Sequence, residues 1–279
     1  MINKFYVTGD CHGVFTRFKN LPEFNMQETI GIIVLGDFGV NFFLNETDDK
    51  KKKELSTNYP NFIFYCVRGN HEARPQDIDG IKLIYDENVN GDVYIEDAYP
   101  YIRYFKDFGL YTINNFRIAV IGGAYSVDKW YRLARFGIKD KSNPDYYNSK
   151  KTGWFPNEQL SINEKNRCIN MMKGQNVNFV FSHTCPIEWE PRDLFLSTID
   201  QTKVDKTTEI FLSDVLKNIY WQVWCFGHFH ADRIERPYVE MFYNDIESLD
   251  SIWDRWDTYV KTGEVPWWMH KSPNFYQFV

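Results

Sequence analysis

The chain of 279 residues lacks a long hydrophobic run. Its apolar stretches, such as Ile30 to Leu35 and Ile118 to Ala124, fall far short of the ~18 residues that a membrane span needs. No transmembrane helix is expected. A cationic region, apolar core and small-residue cleavage site are also missing ahead of the strand-like Lys4-Phe5-Tyr6-Val7-Thr8, so a cytoplasmic address is expected. Cysteine is scarce. Cys11, Cys66, Cys168, Cys185 and Cys225 form an odd set without CxxC spacing, which excludes a disulfide framework and points to reduced, buried thiols. Nor is positive charge in excess: 32 Lys and Arg against 38 Asp and Glu leave a net charge of −6, without the footprint of a nonspecific duplex binder. Bound divalent metals would still attract phosphate locally. Repeats, low-complexity tracts and Pro/Gly linkers are absent too. With 43% hydrophobic and 25% charged residues, what remains is a packed globular chain with one main domain.

What is present is a series of short β-rich runs: Phe5 to Thr8, Ile30 to Leu35, Phe62 to Val67, Val177 to Phe181 and Trp221 to Phe226. Each reads as a buried strand. Between Tyr111 and Ala124 two strands meet at a tight Asn114-Asn115 turn, and Tyr238 to Tyr243 reads as a final strand closing a sheet edge. Ser161 and Glu164 have capping-box spacing, which predicts a helix over about 158–173. The run Asp48 to Glu54 reads as a solvated face, because acidic residues flank its lysines. Residues 125–156 read as a long surface insertion carrying Lys129, Arg132 and Arg135. The class that emerges is α/β, mixed, with an antiparallel portion.

Of six histidines, five follow predicted strands within Gly/Asp/Asn signatures: Gly9-Asp10-Cys11-His12, Gly69-Asn70-His71-Glu72, Ser182-His183-Thr184 and Gly227-His228-Phe229-His230. Gly36-Asp37-Phe38-Gly39 is a further signature of the same kind. Ligands gather beyond the carboxyl ends of strands in open α/β sheets, so these loops are expected to converge. Asp10 and His12, like His228 and His230, are two apart and project together from an extended backbone. Asp10, His12, Asp37, Asn70, His183, His228 and His230 supply carboxylate, imidazole and carboxamide without thiolate, a set suited to Mn²⁺, Fe or Zn²⁺. Seven ligands suffice for two ions if Asp37 is shared and waters complete the shells.

In its order D-x-H, G-D, G-N-H-[DE], H, G-H-x-H, the chain resembles the calcineurin-like metallophosphoesterases. Within them it is most similar to small bacterial and phage-type phosphatases having G-D-F-G and a G-G-A-x-S stretch, here Gly122 to Ser126. The resemblance implies a four-layer α-β-β-α sandwich of two mixed β-sheets flanked by helices. It implies that Asp10, His12 and His230 hold one ion, that Asn70, His183 and His228 hold the other, and that Asp37 bridges. His71 would bind no metal; it would stabilise the transition state or protonate the leaving oxygen while a shared hydroxide attacks phosphorus. The domain reading is a metallophosphoesterase domain over 1–249 and an aromatic-rich extension over 250–279. The expected substrate is a phosphate ester, a phosphodiester, nucleotide or phosphomonoester, with the first two slightly favoured and a phosphoprotein disfavoured. Asp37 is followed by Phe38-Gly39-Val40-Asn41-Phe42, without the arginine that the phosphoprotein phosphatase branch carries there, although Arg68-Gly69-Asn70-His71-Glu72 looks like that branch. A serine/threonine phosphoprotein phosphatase is the alternative, and a catalytically silent partner-binding scaffold is a second one.

Blander readings stand beside these. Lys129, Arg132 and Arg135 are candidates to clamp a substrate phosphate, or simply solvated charges. The aromatics Trp253, Trp256, Trp267, Trp268, Phe275, Tyr276 and Phe278 offer a protein-docking surface or a stacking platform for bases, but packing back on the body is expected. His270 stands outside the motifs and is kept out of the site.

Overall fold

A strand that is apolar at both parities must be covered on both faces, and this decides the layering. The computed structural model describes residues 2–236 and 238–264. In it Phe5–Thr8 (β1), Ile30–Val34 (β2) and Phe62–Cys66 (β3) run parallel to one another and to Ile102–Phe105 (β6). Ile81–Asp86 (β4) and Gly91–Glu96 (β5) extend that sheet antiparallel beyond β6, and Ile246–Ser248 (β13) closes its other edge against β1. The second sheet has a matching plan. Phe116–Ile121 (β8), Asn176–Ser182 (β9), Tyr220–Phe226 (β10) and Val239–Met241 (β12) are parallel, with Phe108–Ile113 (β7) and Arg233–Arg236 (β11) antiparallel at its edges.

The sheets meet through Val7, Ile33, Leu35, Tyr65 and Val67 on one side and Ile118, Val120, Phe179, Phe181, Val223 and Cys225 on the other. Neighbours of opposite parity point outward: Ile32, Val34, Phe62 and Phe64 pack with Leu55 and Tyr59 at the helix Glu46–Asn58 (α1). Ala119, Ile121, Trp224 and Phe226 pack with Cys168 and Met172 of Ile162–Met172 (α4) and with Phe211 and Val215 of Thr207–Asn218 (α5). Helix, sheet, sheet, helix is the result, the four-layer α/β sandwich. Lys129–Ala134 (α2) and Ser149–Thr152 (α3) belong to the 125–156 insertion, which has its own small core of Leu133, Ile138, Tyr146 and Trp154. No helix among the described residues is long and apolar enough to cross a membrane.

The five strand expectations are met, and Asn114 turns the β7–β8 hairpin with a φ of 52°. The capping box forms at Ser161 and Glu164, but the helix begins there; residue 158 lies ahead of it, in a turn. The strand read at Tyr238 to Tyr243 is neither final nor an edge. It is the shorter β12, flanked by β11 and β10, and β13 follows it in the other sheet. The Asp48 to Glu54 face is not fully solvated either. Lys52 is buried and its ammonium is bonded 2.7 Å from Glu96, which compensates the cost of burying the charge. All five cysteines are buried and free; burial pushes the Cys11 thiol up to about 12, which makes it unreactive. In Leu249–Thr262 (α6), Trp253 packs 5.1 Å from Phe116 and 4.5 Å from Trp256, against the inter-sheet core. Trp267, Trp268, His270, Phe275, Tyr276 and Phe278 lie outside the described residues.

Candidate active site

Every parallel strand of the inner four in each sheet ends at the same edge, and the loops leaving them carry the polar signatures. Asp10 and His12 follow β1, Asp37 follows β2, Asn70 and His71 follow β3, His183 follows β9, and His228 and His230 follow β10. The loops are tied together by backbone: the amides of Cys11 and His12 donate to the Asp37 carbonyl at 3.1 and 2.8 Å. The approach is close enough to require glycine. A Cβ on Gly36, whose φ is 100°, would sit 2.1 Å from His183 Nδ1, and one on Gly69 would sit 2.0 Å from Asp37 Oδ1. His12, Asp37, His228 and His230 themselves carry φ values of 47°, 50°, 73° and 53°. Such left-handed conformations cost of order 1–3 kcal/mol each for non-glycine residues and concentrate where function holds them.

The acidic oxygens are arranged unequally. Asp10 Oδ1 accepts from the His228 amide at 2.9 Å and Asp37 Oδ1 from the His71 amide at 2.8 Å. Their other oxygens, Asp10 Oδ2 and Asp37 Oδ2, are buried without a hydrogen-bond partner. Around Asp10 Oδ2 stand His230 Nε2 at 3.3 Å and His12 Nε2 at 3.8 Å, and these two nitrogens face each other at 2.9 Å. Near Asp37 Oδ2 stands His183 Nε2 at 3.6 Å. His183 Nδ1 donates to the Leu35 carbonyl at 2.7 Å, which turns Nε2 toward Asn70 Oδ1, 2.8 Å away. Asn70 is oriented in turn, because its amide nitrogen donates to Ser126 Oγ at 2.9 Å. His228 completes the cluster with its ring 5.0 Å from that of His183. Ligand atoms of Asp10, His12 and His230 lie within 4.8 Å of one another, and so do those of Asp10, Asp37 and His183.

Two buried carboxylates demand positive charge. Burial alone would lower His183, but the neighbouring Asp37 and Asp10 carboxylates outweigh it and hold the imidazole at about 9. The Asp10 carboxylate beside it likewise raises His230. Burial drives His228 the other way, to about 3, with His183 adding to the effect. Orphaned carboxylate oxygens facing imidazole nitrogens and an amide oxygen are what a pair of borderline-hard cations requires, so the residues present fit two ions.

A family model of calcineurin-like phosphoesterases matches residues 3–232. The chain belongs to this family. It is accordingly a metal-dependent phosphoesterase, a hydrolase of phosphate esters. Among solved structures it is similar to a phosphopantetheinyl hydrolase from Mycobacterium tuberculosis, with 13% identity, 90% of this chain and 92% of that chain covered, and a TM-score of 0.39. No curated protein sequence matches it.

The cations named from the insertion separate. Arg132 reaches the edge: its Nη2 donates to His71 Nδ1 at 2.7 Å, while its Nε is held by Asp128 at 2.6 Å. Lys129 turns away and lies 4.0 Å above the Trp154 ring, and Arg135 is exposed at the end of α2. Neither is brought to the metal edge. Further residues support the site. Glu72 accepts from the amides of Gly69 at 2.6 Å and Asp37 at 3.1 Å; burial and the Asp37 charge push it up to about 7. Its place in G-N-H-E was the available signal. Glu158 accepts from the Ser126 hydroxyl at 2.6 Å and so backs Asn70. Tyr243 stacks on His230 at 4.9 Å, and Arg17 bonds the Asp10 carbonyl at 2.9 Å. Arg68 is buried and engages Asp107 and the Glu158 carbonyl, bracing the loop.

Proposed function

We propose that the chain hydrolyses a small phosphate ester with two divalent or trivalent ions, Mn²⁺ or Fe foremost and Zn²⁺ also suited, held at this edge. The observation that carries the reading is the pair of buried, unpartnered oxygens, Asp10 Oδ2 and Asp37 Oδ2, set among imidazoles whose other contacts already fix their orientation. Asp10, His12 and His230 would hold one ion and Asn70, His183 and His228 the other, with Asp37 between them. Asp10 stands close to both groups of ligands, which keeps the two sites adjacent. Bound ions of this kind lower the pKa of water toward 7 and polarise phosphoryl oxygens.

The chain's own residues supply the rest. A guanidinium can only donate, so the Arg132 contact makes His71 Nδ1 the acceptor and leaves the proton on Nε2, which faces Asp37 Oδ2 at 3.9 Å. Burial, with Arg132 adding to it, lowers His71 against the pull of Asp37, so the ring is neutral near pH 7. His71 therefore acts as a fixed N–H donor toward phosphoryl or leaving oxygen, and Arg132 positions it. With Arg132 so engaged and buried Phe38 following Asp37, the site has less to offer a phosphoprotein than a small monoester, diester or nucleotide. Residues 1–249 form the catalytic domain in this reading and 250–279 an extension that begins within α6.

The test is removal and return of metal. Chelator-treated protein should lose hydrolysis of bis(4-nitrophenyl) phosphate and 4-nitrophenyl phosphate, and Mn²⁺ should restore it. Undiminished hydrolysis in chelator would refute the reading.

A further inference from the structure

Two clefts open on the metal edge, and their chemistry differs. One, of about 450 Å³, is lined by Lys51, Arg132, Phe42 and Phe43 beside His12, His71 and His230. The other, of about 330 Å³, is bounded on its inner side by Asp37, Asn70, His71, His228 and His230. Its outer wall is Leu194, Phe195, Leu196, Ile199 and Val204, from the segment joining β9 to α5, together with Phe229. Phe195 stacks on Phe229 at 6.5 Å, and Arg233 anchors the segment through Asp193 at 2.7 Å. Leu196 is 61% exposed at this wall, an apolar group presented next to a reaction centre.

Each charged side chain of this second cleft already has a partner, although one oxygen of Asp128 and one of Glu209 stay buried without one. Lys206 is bonded to Glu190 at 2.7 Å and lies 4.5 Å over the Phe195 ring, and Asp128 is bonded to Arg132. Glu209 accepts from Thr184 at 3.0 Å. Lys206 is the one lysine or arginine that lines the cleft among the described residues, and Glu190 holds it, so no cation outside the metal edge is offered to a second phosphate or a carboxylate. An uncharged organic group meets apolar walls there and leaves water behind.

Resting on the phosphoesterase reading above, we infer that this cleft takes the organic arm of the substrate, so that the preferred ester is that of an apolar alkyl or aryl alcohol rather than of a polyanionic one. The arm lies against Leu196, Ile199 and Phe229 while its phosphate faces the metal edge.

Alkylphosphonates test this without turnover. In the full, Mn²⁺-loaded chain, calorimetric Kd values for ethyl-, butyl-, hexyl- and octylphosphonate should tighten by about three- to fourfold per methylene until the cleft is filled. A flat series overturns the inference. Leu196→Asp should cut the ratio of octyl to ethyl affinity at least tenfold, and Ile199→Ser, which introduces no charge, should lower it in the same direction. A ratio unchanged in both variants places the arm elsewhere and also overturns it. Failure of the underlying reading shows separately, as no hydrolysis of either bis(4-nitrophenyl) phosphate or 4-nitrophenyl phosphate by the same loaded protein.

Discussion

At the metal edge Asp10, Asp37, Asn70 and His183 are almost wholly buried, and each has one polar atom pinned by a neighbour so that another is presented inward. The 125–156 insertion is largely exposed and is held by four buried side chains, Leu133, Ile138, Tyr146 and Trp154. Yet the two regions touch at two decisive points, Arg132 on His71 and Ser126 on Asn70. In the proposed centre the edge provides the atoms that would meet metal and phosphate, and the insertion sets which way two of them point. Buried polar groups are expensive unless satisfied, so the edge tolerates little change, while a small surface core can supply orientation cheaply.

If that division is right, the edge should be hurt most. His71→Ala should lower turnover by roughly 10²–10³, the range for losing one preorganised donor, with two ions retained. Because His71 is read as a neutral donor, the loss should be alike for 4-nitrophenyl and alkyl esters. A loss that shrinks for the aryl ester would make His71 a general acid instead, and a loss of metal would make it a ligand. Next comes the insertion. Arg132→Met should cost about 10–100-fold, the range for a group that orients another, and the cost should fall on kcat. A rise in KM at unchanged kcat would return Arg132 to the role of substrate clamp and blur the comparison.

The smallest effect belongs to a contact remote from both. Burial would raise Glu164, but its hydrogen bonds from Arg74 and Ser161 outweigh that and bring it down to about 2. Its folded value lies below the unfolded one of about 4.3, so its stabilisation is full above that pH and is lost as pH falls toward 2. The site is partly exposed, which limits the effect to about 1 kcal/mol or less. Glu164→Gln should lower Tm by roughly 2 °C at pH 7 and by clearly less at pH 2.5, while metal content at pH 7 stays the same.

The convergence of five loops was legible because strand, then glycine, then acid or imidazole is a local pattern, and parallel strands deliver such loops to one edge. The fate of the insertion's cations was not. Lys129 and Arg132 differ by less than one helical turn, and which of them meets Trp154 and which meets His71 depends on packing between residues far apart in sequence. The same holds for Glu158 behind Ser126, for Tyr243 against His230, and for Lys52, whose partner Glu96 lies 44 residues away. β11 escaped notice because four residues with charges at both ends carry little periodicity.

Metal stoichiometry tests the central claim most directly. Chelator-treated protein titrated with Mn²⁺ and assayed by elemental analysis should approach two equivalents per chain, and Asp37→Ala should hold fewer than two under the same conditions. A wild-type value that saturates at one, or an Asp37→Ala protein that still binds two, would contradict a paired centre built around Asp37.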